Sequence, residues 1–343
     1  MKELKEYYEG KTILVTGGAG SIGSEIVRKV LRYKPEVVRV LDNNETALFD
    51  LQHELRAHEE NLRMFVGDVR DKERCKRTVE DIDIVFHAAA LKHVPLCEYN
   101  PFEAVKTNVI GTQNIIEVAR DEEVEKVITI STDKVVNPLN VLGATKLLAE
   151  RLTISANFYK GKRKTVFASV RFGNVLGSRG SIMPLFEKQI KSGGPLTITD
   201  PRMTRFIMSI SEAVTLILRA TCMAEGGEVF ILEMPAVRIK DLAEVMIEEL
   251  APKYGYDPRD MKLETSGIRP GEKLHEELLT EHEVTRTHDK DGILVMAPQL
   301  TAQKRRPSSK KERKLKHTSC DAQLLTKSEI KKLLEEATIE ERS

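Results

Sequence analysis

The stretch that most narrows the folds open to this chain runs from Lys11 to Asp42. An apolar segment, Lys11 to Thr16 (KTILVT), leads into Gly17-Gly18-Ala19-Gly20-Ser21-Ile22-Gly23. An amphipathic stretch follows to about Tyr33, and then a second apolar segment, Val37 to Leu41, that ends at Asp42. Strand, glycine turn, helix and strand is the order of a dinucleotide-binding βαβ unit. The three-residue spacing of Gly17, Gly20 and Gly23 allows a tight turn, close approach of backbone to a pyrophosphate, and close helix-to-strand packing. The phosphate would rest at the positive end of the helix. Asp42 stands about 20 residues beyond the glycines, where an acid accepts hydrogen bonds from ribose hydroxyls. It would repel a 2′-phosphate, and Asn43 and Asn44 rather than arginines follow it, so the pattern predicts NAD rather than NADP. Candidate cofactor contacts here are Gly17, Ala19, Gly20, Ser21, Ile22, Asp42 and Asn43.

Further apolar segments continue the alternation. Leu62 to Val66 leads into Gly67-Asp68-Val69, placing Asp68 and Val69 at the adenine edge. Asp83 to His87 ends in Ala88-Ala89-Ala90, small residues suited to a backbone lying against a cofactor, with Ala88 and Ala89 as contacts and Lys92 and His93 at the mouth. His93 reads as structural. Pro101 to Arg120 reads as one helix, with Thr107 and the candidate cofactor residue Asn108 inside an apolar face. Lys126 to Ile130 and Thr165 to Phe172 are the fifth and sixth strands. Such alternation implies right-handed crossovers and a parallel sheet. The predicted fold is therefore α/β, a Rossmann-like doubly wound parallel sheet with a smaller C-terminal substrate-binding lobe. Residues 1–174, with contributions from about 203–232, form the dinucleotide domain; 175–202 and 233–343 form the lobe.

Chemistry concentrates in Ser131 to Lys146 (STDKVVNPLNVLGATK). Thr132, Asp133 and Lys134 put a hydroxyl, a carboxylate and an amine directly after the fifth strand, and Lys146 follows twelve residues later on a helical stretch, Val141 to Leu152. In open α/β sheets ligands bind at the carboxyl ends of strands, so this cluster can move protons on a bound molecule. The segment from Gly173 to Ser181 is glycine-rich and basic, suited to closing over a diphosphate through Asn174, Arg179 and Ser181, and Arg269 and Lys273 on a later turn are available to phosphate. His275-Glu276 lacks the second histidine of a zinc helix.

Composition excludes several classes. The 54 Lys and Arg balance 53 Asp and Glu, a net charge of +1, so no global field favours nucleic acid or an anionic membrane. The four cysteines are far apart, form no CxxC pair and read as small buried hydrophobes in a reducing compartment. With no apolar run near the roughly 20 residues of a membrane span and no leader-like start, the reading is cytoplasmic. The basic segment 303–319 has no interleaved aromatics and reads as a solvated loop.

TGGAGSIGSE at Thr16 to Glu25, the STDK stretch, RFGNVLGSRGSIMPLF from Arg171, DPRMTRF from Asp200 and RPGEKLHEEL from Arg269 resemble the extended short-chain dehydrogenase/reductase superfamily. Within it they resemble the nucleotide-sugar 4,6-dehydratases of the capsule and flagellin-glycan type. The resemblance implies NAD, a UDP-N-acetylglucosamine substrate, a UDP-4-keto-6-deoxy product and a homo-oligomer. It implies Asp133 as the acid at the C6 hydroxyl, Lys134 as the base at C5, Thr132 on the 4-hydroxyl and Lys146 on the nicotinamide ribose. Candidate substrate contacts are Lys92, Asn174, Arg179, Ser181 and Arg269, with Asn174 and Arg179 on the sugar diphosphate and Arg269 on the nucleotide side; the resemblance also points to the stretch near Ser319 as a uridine contact. Lys134 should then have its pKa lowered by desolvation or by Lys146. The tyrosine of the superfamily's YxxxK motif is replaced by Leu142, which resembles the configuration-retaining branch and leaves water or the Thr132/Asp133 pair to take the 4-hydroxyl proton. Those relatives usually carry membrane helices ahead of the catalytic domain, and none is expected from the sequence. Alternatives are a UDP-sugar 4-epimerase or dehydratase/C5-epimerase of the same fold, and a non-catalytic NAD-binding regulator.

Overall fold

A computed structural model describes residues 2–298 and 317–342, the side chains of 337–342 excepted. Six strands follow the predicted order: β1 (Thr12–Thr16), β2 (Val37–Asp42), β3 (Leu62–Val66), β4 (Ile84–His87), β5 (Lys126–Ile130) and β6 (Val166–Arg171). Every residue of β4 and β5 is buried, as apolar strands covered by helices on both faces must be. The remaining strands are β7 (Asn174–Val175), β8 (Leu196–Ile198), β9 (Thr204–Met208), β10 (Val229–Ile231), β11 (Ala236–Arg238), β12 (Leu263–Thr265), β13 (Thr287–Lys290) and β14 (Ile293–Met296).

The large sheet has the order β13-β14-β10-β6-β5-β4-β1-β2-β3. From β10 to β3 all neighbours are parallel. Connections leave β1 in one direction and β4 in the other, so the crevice between the carboxyl ends of these two strands is the topological switch point where an α/β sheet holds its ligand. A smaller body beside it carries the sheet β11-β9-β7, the pair β12-β8 and a second apolar core around Phe186, Ile190, Leu242 and Met246.

Several expectations are corrected. The hairpin β13-β14 lies in the span read as substrate lobe, yet it pairs antiparallel with β10 and extends the main sheet, because Ile293 to Met296 are all buried apolar residues. The predicted single helix Pro101 to Arg120 contains a π-helical segment, Val105–Ile110, between Pro101–Ala104 and Gly111–Asp121. Such wide turns often mark functional positions, and this one carries Thr107 and Asn108. The helix after the STDK stretch runs further than expected, Val141–Tyr159. Cys75 and Cys97 are buried as read, whereas Cys320 is exposed. The basic segment lies outside the described residues except for 317–319. Among the described residues no cluster of His, Cys, Asp and Glu could hold a metal ion, and no helix is long and apolar enough to cross a membrane.

Candidate functional site

A cavity of about 770 Å³ opens along the switch point. Its floor is the glycine turn. Gly17 has φ +65°, and a β-carbon there would lie 2.6 Å from the Ala89 Cα, while one on Gly23 would lie 2.2 Å from the Gly17 carbonyl oxygen. Only glycines let the turn sit against β4 and the helix Ser21–Leu31 sit against the turn. Asp42 closes the turn: its carboxylate accepts from the Ala19 N–H at 3.1 Å and the Asn44 N–H at 3.0 Å. At the far end Asp68 pairs with Arg70 at 2.7 Å, and Arg70 reaches Glu103 at 2.6 Å. Burial opposes the Asp68 charge, but Arg70 and Asn43 outweigh it and hold the carboxyl below its ordinary range. Every candidate cofactor contact except Asn108 lines the cavity. Asn108 is buried behind the wall, accepting from the Leu91 N–H at 2.8 Å and donating to the Leu91 carbonyl and the Thr145 hydroxyl, each at 3.1 Å. It shapes the wall rather than touching what fills it.

The proton-moving cluster stands where β5 ends. Ser131 and Asp133 donate backbone hydrogen bonds to Val170 and Phe172 at 2.7 and 3.0 Å, and the chain turns through a short 3-10 segment, Asp133–Val135. The helix Val141–Tyr159 is seated on this turn through Gly143, where a β-carbon would meet the Lys134 carbonyl oxygen at 2.3 Å. Asp133 is fully buried; its Oδ1 accepts from the Thr132 hydroxyl and the Lys134 Nζ, each at 2.9 Å, and its Oδ2 has no partner among the described residues. Burial raises the Asp133 pKa, with Lys134 opposing.

The expected depression of Lys134 is not found. Burial pulls its pKa down, but Asp133 and Glu276, the latter 3.5 Å away, outweigh burial and hold it above the ordinary amine value. The depressed amine of this cluster is Lys146. It is buried, donates to the Ile130 carbonyl, and is drawn down to about 8 by desolvation, with Glu150 opposing. Desolvation acts on both lysines; only Lys134 has two carboxylates close enough to reverse it.

Lys92, Asn174, Arg179 and Ser181 line the opposite wall. Arg179 ties the glycine-rich loop to the cofactor turn: its N–H donates to the Ser21 hydroxyl at 2.9 Å and its guanidinium to the Ala19 carbonyl. Burial and the neighbouring Arg179 hold the Lys92 amine below its ordinary value. Asn174 Oδ1 and Ser181 Oγ are buried without partners among the described residues, as polar atoms are where a ligand completes their hydrogen bonds. Arg269 is not brought to the cavity; it is on an exposed turn, its N–H on Glu272. Ser319 likewise does not line the cavity: its hydroxyl and N–H are taken up by Thr204 and Glu276. Sequence reasoning missed Glu276, because burial of one acid in a charged run has no local signature. It set His93 aside, though the ring lines the cavity and packs on Gly180.

A switch-point cavity floored by a glycine turn, with an acid at the end of β2 and a Lys146 amine at the end of β5, defines an extended short-chain dehydrogenase/reductase. The chain belongs to the polysaccharide biosynthesis protein family, whose model matches residues 13–298. It is 64% identical over 335 residues, 98% of each chain, to an uncharacterized membrane protein, MJ1061, of Methanocaldococcus jannaschii. It is 40% identical to the UDP-N-acetylglucosamine 4,6-dehydratase (inverting) of Campylobacter jejuni, over 85% of this chain and 84% of that one. The crystal structure of Pen from Bacillus thuringiensis superposes with a TM-score of 0.90 at 43% identity, covering 96% of this chain and 98% of that one.

Proposed function

We propose that this protein is a nucleotide-sugar 4,6-dehydratase that binds NAD and converts UDP-N-acetylglucosamine to a UDP-4-keto-6-deoxy-N-acetylhexosamine for surface polysaccharide or glycan synthesis. The observation that carries the reading is the pair of fully buried Asp133 and partly buried Lys134, joined at 2.9 Å beside the cavity that the glycine turn lines. An epimerase that only inverts C4 needs no acid and base at C6 and C5. The residues present fit NAD: the glycine turn, packed so tightly on β4 and on itself that a β-carbon at Gly17 or Gly23 would strike backbone, lines the cavity where a pyrophosphate would lie, and Asp42 lines it at the end of β2.

Bound NAD supplies the hydride acceptor for C4 and, after water loss, the hydride donor for C6. Oxidation at C4 acidifies the C5–H, so a side-chain amine suffices as base. Elimination needs a neutral Lys134 and a protonated Asp133, the reverse of the resting ion pair. Transfer of one proton from Nζ to Asp133 Oδ1 across 2.9 Å produces both forms at once with no change in net charge. Burial, the largest influence on both groups, favours that neutral pair. Lys134 then takes the C5 proton while Asp133 protonates the departing C6 hydroxyl. Thr132 holds the 4-hydroxyl. With Leu142 in the tyrosine's place and Asp133 already protonated, water accepts the 4-hydroxyl proton. Lys146 adds positive field at the nicotinamide ribose.

Incubation with UDP-N-acetylglucosamine should give a product lighter by one water, with a 6-methyl signal in the NMR spectrum that also reports the C5 configuration. Lys134→Ala should bind NAD and release no water. An unchanged product mass would favour a 4-epimerase and overturn the reading, and near-normal turnover of Lys134→Ala would remove this residue from the base role.

A further inference from the structure

We infer that Glu276 is a positioning residue for the reaction, holding the Lys134 amine against Asp133 and setting the pH range in which that pair can act. The inference rests on the reading of Lys134 as the base at C5.

Glu276 is 3% exposed, and a carboxylate so deeply buried is costly unless well partnered. Its side-chain partners are distant: Lys134 Nζ at 3.5 Å and Arg205 Nε at 3.8 Å from Oε1, with Oε2 unpartnered among the described residues. What fixes the residue is its backbone. Its N–H donates to the Ser319 hydroxyl at 2.9 Å, and its carbonyl accepts from the Ser319 N–H at 2.8 Å. Ser319 is held in turn by the Thr204 hydroxyl at 2.7 Å. On the other side the Arg205 guanidinium donates to the carbonyls of Lys273 and Leu274 at 3.0 and 3.2 Å. Two segments far apart in sequence therefore press an incompletely satisfied acid toward one amine, an arrangement that costs stability and serves the site.

Three charges beyond its own bear on the pair. Lys134 faces Asp133 and Glu276; Arg205 stands behind Glu276. Lys273 adds a more distant positive charge, its amine turned to the Val136 carbonyl at 2.6 Å and to Glu277 at 3.2 Å. Burial opposes ionisation of Glu276, but Lys134, Arg205 and Lys273 outweigh it, so the carboxylate stays charged. A fixed negative charge there keeps the proton on Lys134 and the amine oriented until the oxidised sugar arrives. It also delays, on the pH scale, the loss of that proton.

The test is the pH profile of kcat for UDP-N-acetylglucosamine dehydration. Its falling limb reports loss of the one proton that Lys134 and Asp133 share, after which no acid remains for the C6 hydroxyl. Glu276→Gln removes the charge and should move the limb to lower pH by about one unit or more. Glu276→Asp, which restores the charge, should return it toward the wild-type position. Arg205→Gln, which leaves Glu276 less compensated, should move it upward. A purely structural role would lower kcat at every pH and leave the limb in place, and that result would overturn the inference. Should Glu276→Gln fail to fold, an unmoved limb in Arg205→Gln overturns it instead. If Lys134→Ala still turns over, the base assignment has failed. If that variant is dead and the Glu276→Gln limb is unmoved, only the role of Glu276 has.

Discussion

Arg171 is the largest fully buried side chain among the described residues, and replacing it by Met tests how much the buried ion-pair network behind Ser131 holds the fold. Its guanidinium makes five hydrogen bonds: two to Glu150, two to Glu283 and one to the Leu278 carbonyl, at 2.6 to 3.2 Å. Glu150 is 0% exposed and Glu283 5%, so Arg171→Met takes the principal cation from two buried carboxylates, leaving Glu150 the Ser131 hydroxyl at 2.7 Å and Glu283 the Arg151 guanidinium at 3.4 Å. Removing one partner of a buried ion pair costs about 3–5 kcal/mol. With an unfolding entropy of about 2.1 cal/mol/K per residue over 343 residues, that is a fall in Tm of about 4–7 °C. The pH dependence follows from the charges. In the wild type, burial opposes the Glu283 charge but Arg171 prevails and holds its pKa below the ordinary value. Its stabilisation is therefore present above the unfolded value of about 4.3 and lost only as pH falls through the lower folded value. In the variant Glu283 loses that partner and its folded pKa rises, so the penalty is full at neutral pH and fades as pH falls through the raised value. The gap in Tm, read by circular dichroism, should narrow between pH 7 and about pH 5. A fall of less than about 1 °C at pH 7, or a gap equal at both pH values, would refute the reasoning. Because Glu150 also accepts from the Ser131 hydroxyl at 2.7 Å, next to Thr132, turnover should fall with stability.

Two further outcomes are expected. Lys146, drawn down to about 8 by burial, carries its charge below that pH and loses it above; NAD affinity by calorimetry should weaken as pH rises through about 8, and Lys146→Met should be weak and flat across the range. In Gly173→Ala the new β-carbon would lie 2.7 Å from the Phe206 Cβ and 3.1 Å from Asp133 Oδ2, so displacement of the acid should lower kcat by about 10²-fold while NAD binding persists.

The first half of the fold was legible because its information is local. A glycine turn between two apolar segments, an acid closing the second, and five repeats of the alternation leave few topologies once right-handed crossovers are required, and β1 to β6 fall where the apolar runs end. The hairpin β13-β14 was not legible: Ile293 to Met296 read equally well as lobe or sheet, and only the uncovered edge of β10 decides which. The π-helical segment was also hidden, since the composition of Val105–Ile110 is that of any amphipathic helix.

For the site, residue types and spacing alone determined that Thr132, Asp133, Lys134 and Lys146 would meet at the end of β5 beside a dinucleotide, because a strand end and the helix after it fix where those side chains start. The protonation of those groups was decided by tertiary structure alone. Glu276 comes to Lys134 across more than a hundred residues and keeps its amine charged, while Lys146, the more deeply buried of the two, has only Glu150 to oppose its desolvation. Charge state depends on what lies within a few ångströms in space, and a linear pattern does not carry that distance.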